Sequence, residues 1–290
     1  MSTPGTTLAF LGCGTLGTAI LSGVLDAVSS QPSSTLPRNV PTSFTACVKS
    51  VESAKRVRDA VASLKLASAV TVYTSNNVAG VKDADMVLLG CKPYMCSGLL
   101  MAPGMSEALS GKLLVSICAG VKISQLKEMV PSSTRVVRVM PNTAAKIRES
   151  MTVISAEETI AEEEKALVKW IFEKIGKALV LDEKHMDVAT ALCGSGPAFY
   201  ALIVEAMADG GVMMGVPRKE AVEMAAQTMQ GTGRMILAGQ HPAIIREQVS
   251  TPAGCTIAGL LKMEDGKVRS VVARAIEEAT NVASGLGGKK

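Results

Sequence analysis

The stretch that decides the fold is FLGCGTLG, residues 10–17, which carries the spacing Gly-x-Gly-x-x-Gly. An apolar run precedes it, and a helical pattern follows it. At such a strand–turn–helix, Gly12 permits the tight turn, Gly14 lets the backbone approach a pyrophosphate, and Gly17 allows the helix to pack closely on the strand. The helix N-terminus adds free amides and a favourable dipole for phosphates. The motif therefore predicts a dinucleotide-binding turn, with a purely structural turn as the alternative.

Short apolar runs alternate with helical patterns beyond this turn. They predict strands over residues 6–11, 44–48, 70–73, 86–90, 113–117 and 135–140, with helices over residues 15–28 and 51–64. Continuous apolar strands separated by helices are typical of a parallel sheet covered on both faces. We therefore expect a Rossmann-like α/β N-terminal domain with a parallel-rich, doubly wound sheet. Residues 29–41 are rich in Ser and Pro and predict an exposed loop.

The pattern changes after residue 161. A helix over residues 161–176 and a short strand-like run over residues 178–181 precede a segment that is almost entirely helical up to a last helix over residues 268–286. Pro197, Pro217 and Pro242 are each expected in the first turn of a helix. We therefore predict a dinucleotide-binding domain over residues 1–165 and an all-α domain over residues 166–290.

Composition excludes several classes of function. Hydrophobic residues make up 48% of the 290 residues and aromatic residues only 3%, while the net charge of +4 is scattered along the chain. A nucleic-acid partner is not expected, because it would need a basic stripe or stacking aromatics. Seven Cys without a Cys-x-x-Cys pair and only two His predict reduced core thiols and no metal site. We expect no targeting peptide, and no membrane span because Glu205 and Asp209 interrupt the apolar stretch after Pro197.

Polar residues at the strand ends are candidates for cofactor contact. The second strand ends at Lys49 and Ser50 without an acidic residue, which favours the 2′-phosphate of NADPH over NADH; Lys49 is otherwise a solvated loop residue. Lys92 follows the fourth strand and is either a cofactor contact or a surface lysine. Asn142 follows the sixth strand and either orients a nicotinamide or caps a turn.

Two segments of the helical half combine Gly with hydroxylated residues. Residues 192–199, LCGSGPAF, predict a break between helices at which the backbone approaches a ligand or another helix. Residues 249–261, VSTPAGCTIAGLL, place small residues directly before an apolar helix. Such a helix start suits a substrate carboxylate, and an ordinary Ser/Thr capping loop is the alternative.

Taken together, these segments resemble the pyrroline-5-carboxylate reductase family. The stretch from Val249 to Glu264 resembles the signature of that family and is far more specific than the glycine motif. Further matches, in the family's order along nearly the whole chain, are Lys92-Pro93, Cys118-Ala119-Gly120-Val121, Met140-Pro141-Asn142-Thr143, Gly194-Ser195-Gly196-Pro197-Ala198 and Ala208-Asp209-Gly210-Gly211-Val212. Gln248 and Ala253 depart from residues frequent in the family, which are Asn and Gly.

The resemblance implies roles for individual residues. The implied cofactor-binding residues are Leu11, Gly12, Gly14, Thr15, Leu16 and Gly17 at the first turn, Lys49 and Ser50 by the 2′-phosphate, Asn77 at the adenosine ribose, Cys91, Lys92 and Ala119 at the nicotinamide half, and Pro93 and Asn142 as further contacts. The implied substrate-binding residues are Ser195, Ser250, Gly254, Cys255 and Thr256, with Thr256 as the catalytic residue that hydrogen-bonds the ring nitrogen.

The implied reaction is hydride transfer from NAD(P)H to pyrroline-5-carboxylate, which yields L-proline in the last step of proline biosynthesis. NADPH is the expected cofactor and NADH a possible one. The resemblance also implies a cytoplasmic enzyme with a small-molecule substrate, an intertwined homodimer and, in many members, a larger ring of dimers. Two other interpretations stay open: a hydroxyacid dehydrogenase, which needs an acid/base such as His185 or His241, and a non-catalytic NADPH sensor.

Overall fold

The structure, a computed structural model, describes residues 6–32 and 36–287. One sheet carries eight strands in the order β3-β2-β1-β4-β5-β6-β7-β8. The strands are β1 (Thr6–Leu11), β2 (Pro41–Val48), β3 (Val70–Thr74), β4 (Met86–Leu89), β5 (Leu113–Ser116), β6 (Arg135–Met140), β7 (Ser150–Ala156) and β8 (Gly176–Val180). Neighbouring strands pair in parallel except for β6 and β7, which are antiparallel. The predicted parallel-rich α/β sheet is confirmed.

Helices follow most strands and then take over the chain. They are α1 (Thr15–Ser30), α2 (Val51–Val61), α3 (Asn77–Lys82), α4 (Cys96–Leu100), α5 (Met105–Leu109), α6 (Ile123–Glu128), α7 (Glu162–Glu173), α8 (Met186–Ala189), α9 (Gly196–Met213), α10 (Arg218–Leu237), α11 (Pro242–Val249), α12 (Cys255–Asp265) and α13 (Val268–Gly285). Pro197 and Pro242 lie in the first turns of α9 and α11 as predicted, whereas Pro217 lies one residue earlier, as the N-cap of α10.

The sheet is covered on both faces, as its apolar strands predict. Along β1, Leu8 and Phe10 join one buried hydrophobic cluster, while Ala9 and Leu11 join another. Successive strand residues point to opposite faces, so the two clusters are the two layers of a doubly wound core. The order of strands reverses between β1 and β4, and ligand crevices of such sheets form outside the carboxyl ends of the strands at this reversal.

Local differences from the sequence predictions have identifiable causes. Strand β7 was not predicted; a 3-10 turn over Thr143–Ile147 and Arg148 at φ 61° return the chain directly into an antiparallel pairing, without a crossover helix. The break predicted over residues 192–199 takes the form of a π-helical turn over Thr190–Ser195, which leads from α8 into α9 without a loop. The loop predicted over residues 29–41 is shorter in the structure, because α1 ends at Ser30 and β2 begins at Pro41. Residues 33–35 of this loop lie outside the described residues.

The chain divides into two compact units. The first comprises the described residues up to 194 and from 279 onward, and the second residues 195–278. This division lies beyond the boundary predicted near residue 165, because β8 pairs with β7 and α7 contacts both strands of that pair. The second unit is entirely helical where it carries regular structure, as the sequence predicts.

A buried arginine ties the end of the first unit to its sheet. Arg138 lies on β6 and is 2% exposed, and its guanidinium contacts Asp187 at 2.8 Å and Glu183 at 3.4 Å. The Glu183 carboxylate also accepts a hydrogen bond of 2.7 Å from the amide of Ile123. A buried charge needs such partners, so we interpret the cluster as structural.

One long apolar helical stretch occurs among the described residues. Glu183–Met213 has a mean hydropathy of 1.4 over its apolar window and is long and apolar enough, by length and composition only, to cross a membrane. Only 17% of that window is buried. The sequence predicts no membrane span here, because Glu205 and Asp209 interrupt the apolar stretch. Length and composition alone are weak support for a membrane span, and an apolar helix face can equally be covered by another protein chain.

Candidate active site

The tips of β1 and β4 meet through backbone alone. Gly12 has φ +90°, and a Cβ built on it would lie 3.2 Å from both the carbonyl carbon and the oxygen of Gly90. A Cβ on Gly90 would in turn lie 2.9 Å from the Gly12 oxygen. Any larger residue at either position would force the two turns apart. The predicted role of Gly12 in a tight turn is thereby given a geometric basis.

The start of α1 offers unpaired donors. Gly14 is the N-cap and has no side chain to cap the helix, so the amides of Thr15, Leu16 and Gly17 meet no protein acceptor among the described residues. A Cβ on Gly14 would meet nothing within 4 Å, which leaves open space beside these amides. A Cβ on Gly17 would lie 3.6 Å from its nearest neighbours, which is ordinary contact rather than the tight packing predicted there. The arrangement suits a phosphate group.

A cavity of about 810 Å³ opens over these groups. Its size lies within the range of small-molecule and cofactor sites in proteins, about 300–1,000 Å³. It is lined by residues from the carboxyl end of β2 and from the segments that follow β1 to β5: Gly12, Cys13, Gly14, Thr15, Leu16, Gly17, Cys47, Val48, Lys49, Ser53, Arg56, Ser75, Asn77, Gly90, Cys91, Lys92, Met95, Leu99 and Ile117.

The charge of the cavity is positive. Lys49, Arg56 and Lys92 line it and form no ion pair with the described residues, and no Asp or Glu is among the described residues that line it. Arg56 and Ser53 both lie on the first turns of α2, and the Arg56 guanidinium donates a hydrogen bond of 3.3 Å to the Ser53 hydroxyl. Unpaired cations beside free helix amides fit a ligand with several phosphate charges, as a dinucleotide carries.

Two buried thiols form the neutral floor of the cavity. Burial raises the pKa of Cys13 to about 11, partly opposed by the hydrogen bond with Thr18 and by the charge of Arg56. Burial, and then the neighbouring Cys13, raises the pKa of Cys47 to about 12. Both thiols are therefore protonated at neutral pH and add no negative charge where phosphates would bind.

A group of three thiols, Cys91, Cys96 and Cys118, lies at the β4–β5 edge of the cavity. The Cys91 sulfur is 3.6 Å from that of Cys96 and 3.8 Å from that of Cys118. The hydrogen bond with Cys91, and then the neighbouring Cys96 thiol, lower the pKa of the Cys118 thiol, whereas the hydrogen bond with Cys118 raises the pKa of Cys91. One thiolate shared among three sulfurs therefore forms more readily than at an isolated thiol, and further ionisation is opposed.

The structure brings most of the predicted cofactor residues into this cavity. The predicted residues that line it are Gly12, Gly14, Thr15, Leu16, Gly17, Lys49, Asn77, Cys91 and Lys92. The predicted residues that do not, although all are described, are Leu11, Ser50, Pro93, Ala119 and Asn142. Of these, Leu11 is fully buried within β1, which explains why its side chain cannot reach a ligand there.

Two of these outliers have their polar groups engaged elsewhere. The Ser50 hydroxyl caps α2 by accepting from the amide of Ser53 at 3.1 Å. The Asn142 side chain accepts from the amide of Ala144 and donates to the carbonyl of Cys193 at 3.1 Å. Of the two roles left open for Asn142, capping is therefore the one with contacts in the structure.

Other residues of the cavity were missed or underrated. Ser53 and Arg56 reach it from the first turns of α2, and Ser75 reaches it from the turn after β3. The Ser75 hydroxyl donates to the carbonyl of Lys49 over 3.0 Å and so fixes the turn after β2. The spacing of Ser53 and Arg56, three residues apart on one helix face, is a signal that could have placed both beside Lys49.

The predicted substrate segment lies in the second unit, where α11 ends and α12 begins. Ser250 ends α11 and donates to the carbonyl of Arg246 over 2.7 Å. Gly254 is the N-cap of α12 without a side-chain cap, so the amides of Cys255 and Thr256 in its first turn meet no acceptor among the described residues. Ala253 has φ +56°, where a non-glycine residue is strained, which accounts for glycine as the residue expected there.

The remaining predicted residues have these surroundings. Ser195 closes the π-helical turn and is the N-cap of α9. His241 caps α11, with its Nδ1 accepting from the amide of Ala243 at 3.2 Å. The interpretation of His241 as a capping residue is confirmed.

Comparisons with known proteins identify the family. A family model described as pyrroline-5-carboxylate reductase dimerisation matches residues 183–286, and one described as NADP oxidoreductase, coenzyme F420-dependent, matches residues 7–120. Pyrroline-5-carboxylate reductase of Schizosaccharomyces pombe is 50% identical over 278 residues, which cover 96% of this chain and 98% of that protein. The enzyme of that name from Methanosarcina acetivorans is 35% identical over 97% of this chain and 98% of its own.

A solved structure agrees with these matches. Plasmodium falciparum pyrroline carboxylate reductase with NADP bound superposes with a TM-score of 0.80 at 27% identity, covering 99% of this chain and 100% of the other. Half of all residues are thus identical to one reductase along nearly the whole chain, and the fold agrees with that of another. This chain belongs to the pyrroline-5-carboxylate reductase family.

Proposed function

We propose that the chain reduces pyrroline-5-carboxylate to L-proline with a nicotinamide cofactor. The observation that carries the proposal is the 50% identity, over 96% of the chain, to a pyrroline-5-carboxylate reductase. The cavity supports it independently, because free helix amides and unpaired cations lie at the reversal of strand order where dinucleotides bind. A pyridine nucleotide is the cofactor class that these features fit.

NADPH is the proposed cofactor. Lys49 and Arg56 present positive charge at the end of β2, and Ser53 and Ser75 add hydroxyls beside them. A carboxylate at this strand end would hold the ribose hydroxyl of NADH and repel a 2′-phosphate, and none lines the described cavity. The charge pattern therefore supports a preference for the phosphorylated cofactor, with Arg56 taking the role first given to Ser50.

The substrate is proposed to bind at the start of α12. The amides of Cys255 and Thr256 would hold its carboxylate, as the free donors of a helix N-terminus hold anions. Ser250 and Gly254 would shape the same turn, and Ser195 is the proposed contact from the start of α9. When bound, the reduced nicotinamide supplies the hydride that the imine carbon accepts.

Thr256 is the proposed catalytic residue. Residues 250–256 contain no His, Lys, Asp or Glu, so the segment offers no strong acid for the ring nitrogen. The Thr256 hydroxyl would orient that nitrogen by a hydrogen bond, while the proton arrives with the protonated imine or from water. The chain thus contributes position and electrostatic support rather than an acid of its own.

Self-association is proposed through the helical unit. Few side chains between residues 195 and 278 are buried, whereas large apolar residues are exposed along its helices, among them Leu202, Met213, Met224, Leu237 and Leu261. Apolar surface on this scale is normally covered by another protein. An intertwined homodimer, or a larger ring of such dimers, would cover this apolar surface without a membrane. Nucleic acid is not a proposed partner. The proposed location is the cytoplasm.

Initial rates test the proposal. NADPH and NADH oxidation are followed with pyrroline-5-carboxylate as substrate, and proline is identified as product. Turnover with a higher kcat/KM for NADPH is the expected result. Cofactor binding without turnover would favour a sensor, and turnover of hydroxyacids but not of the imine would favour a dehydrogenase; either would overturn the proposal.

A further inference from the structure

Three sulfur atoms converge where β4 and β5 end. Cys91 follows β4, Cys96 is the first residue of α4, and Cys118 follows β5. Their sulfurs all lie within 4.8 Å of one another, and two of the separations are 3.6 and 3.8 Å. The proposed reduction uses none of these thiols as a reacting group.

Two of the three sulfur–sulfur separations are close to those of a metal-binding site, and the third is at most 4.8 Å. A thiolate binds Zn²⁺ at about 2.3 Å, so two sulfurs on one ion lie about 3.8 Å apart in tetrahedral geometry and about 4.0 Å apart in planar three-coordination. The two shorter separations, 3.6 and 3.8 Å, need shifts of only a few tenths of an ångström. Thiolate ligands select soft cations such as Zn²⁺ and Cu⁺ over Mg²⁺ or Ca²⁺.

The site also has an access route. Cys96 and Cys118 are 1% and 2% exposed, whereas Cys91 is half-buried and lines the cofactor cavity. Cys91 is therefore the cluster residue that water or a fourth ligand entering from the cavity would meet. The other contacts of the Cys118 sulfur are the carbonyl oxygens of Leu89 and Cys91, at 3.6 and 3.3 Å. Loss of the thiol proton would end these two donations and free the sulfur for a metal.

We propose that Cys91, Cys96 and Cys118 bind one thiophilic d10 cation, Zn²⁺ or Cu⁺, that reaches them through the cofactor cavity. Three sulfur–metal bonds form, each thiol that is still protonated loses its proton to solvent, and no atom is oxidised or reduced. Because Cys91 lines the cavity, a bound dinucleotide would cover the route by which the ion enters. The sequence predicted no metal site, since these residues lack the usual spacing, and this proposal replaces that prediction.

Cadmium is the probe, because its thiolate complexes absorb in the ultraviolet. The metal-free, full-length protein is titrated with Cd²⁺ in the presence of a phosphine reductant, and bound metal is measured after dialysis. The variants are Cys96→Ala and Cys118→Ala. The matched control is Cys193→Ala, which removes a half-buried thiol outside the cluster. Denaturant unfolding verifies that each variant is folded.

The wild-type protein and the control should each retain one Cd²⁺ per chain with the absorption of several thiolates. Each cluster variant should bind at least about 100-fold more weakly, since loss of even an outer-shell partner costs 10–100-fold. Saturating NADPH should suppress loading. Parallel titrations with Zn²⁺ and anaerobic Cu⁺ identify the preferred ion by competition with cadmium.

Three results would overturn the proposal. One is equal retention by all four proteins, which would place the metal elsewhere. Another is no retention of Cd²⁺ by the wild type. The third is loading that is indifferent to NADPH, which would contradict the access route. None of these measurements needs turnover, so a failure here is distinct from a failure of the proposed reaction.

Discussion

Replacing Arg56 by Ala tests the proposed discrimination between the two cofactors. Arg56 lines the cavity from the first turns of α2, is exposed, and forms no ion pair with the described residues. Its hydrogen bond to Ser53 is the contact that would be lost from the protein itself. Since the side chains of Arg56 and Ser53 lie at or near the surface of α2, the fold should tolerate Arg56→Ala.

The magnitude follows from the exposure of the side chain. A hydrogen bond to a charged group contributes about 1.5–3 kcal/mol. Solvent screens an exposed guanidinium, so the lower half of that range applies, about 1.5–2 kcal/mol. Each 1.4 kcal/mol is a factor of ten, and the Kd for NADPH should therefore rise about 10- to 30-fold. NADH lacks the 2′-phosphate, and its Kd should change less than about twofold.

The assay is fluorescence titration of both cofactors, followed by kcat/KM for each. Arg58→Ala is the matched control, because Arg58 lies on the same helix, is exposed, and does not line the cavity. The control should bind both cofactors as the wild type does. An equal loss for NADPH and NADH in the Arg56 variant, or the same loss in the Arg58 variant, would refute the assignment of the phosphate to this side chain.

Three further predictions concern the turn, the substrate and the buried charge. Gly12→Ala should lower the free energy of unfolding by about 2 kcal/mol, because Gly12 has φ +90° and the backbone of Gly90 blocks a Cβ. Gly14→Ala should have the wild-type free energy of unfolding in denaturant but bind NADPH more weakly. Equal stability of the two variants would contradict this difference. Thr256→Ala should lower kcat/KM for pyrroline-5-carboxylate about tenfold through one lost hydrogen bond, with cofactor affinity unchanged; unchanged steady-state kinetics would remove its role. Arg138→Met should lower the free energy of unfolding, measured in urea, by about 3 kcal/mol, because it leaves the partly buried carboxylates of Glu183 and Asp187 without their partner. A loss below about 1 kcal/mol would show that this ion-pair cluster contributes little to stability.

The sequence predicts well what depends on neighbouring residues. The glycine turn is local: strand, turn and helix lie within residues 6–30, and the requirements at Gly12 and Gly14 can be stated from the spacing. The buried strands are predicted for the same reason, since an unbroken run such as MVLL in β4 has few alternatives to burial on both faces. The end of α11 and the start of α12 follow from Gly254 and the small residues before it.

Contacts between distant residues set the limits of such prediction. The Asn142 side chain, predicted either to orient a nicotinamide or to cap a turn, donates to the carbonyl of Cys193, which lies 51 residues further along the chain and could not be identified as a partner from the sequence. The thiols of Cys91 and Cys118, 27 residues apart, meet because β4 and β5 are adjacent and end together. Strand β7 was not predicted because its pairing with β6 depends on the 3-10 turn over Thr143–Ile147 and on the left-handed backbone of Arg148, and not on the spacing of apolar residues.

Transfer of a labelled hydride tests the central claim most directly. Pyrroline-5-carboxylate is incubated with the chain and with NADPH that carries deuterium at the transferable position of the nicotinamide, and the product is analysed by mass spectrometry and NMR. The account predicts L-proline with one deuterium on the ring carbon that was the imine carbon. Unlabelled proline, label at another carbon, or no proline despite bound cofactor would contradict hydride transfer to the imine by this protein.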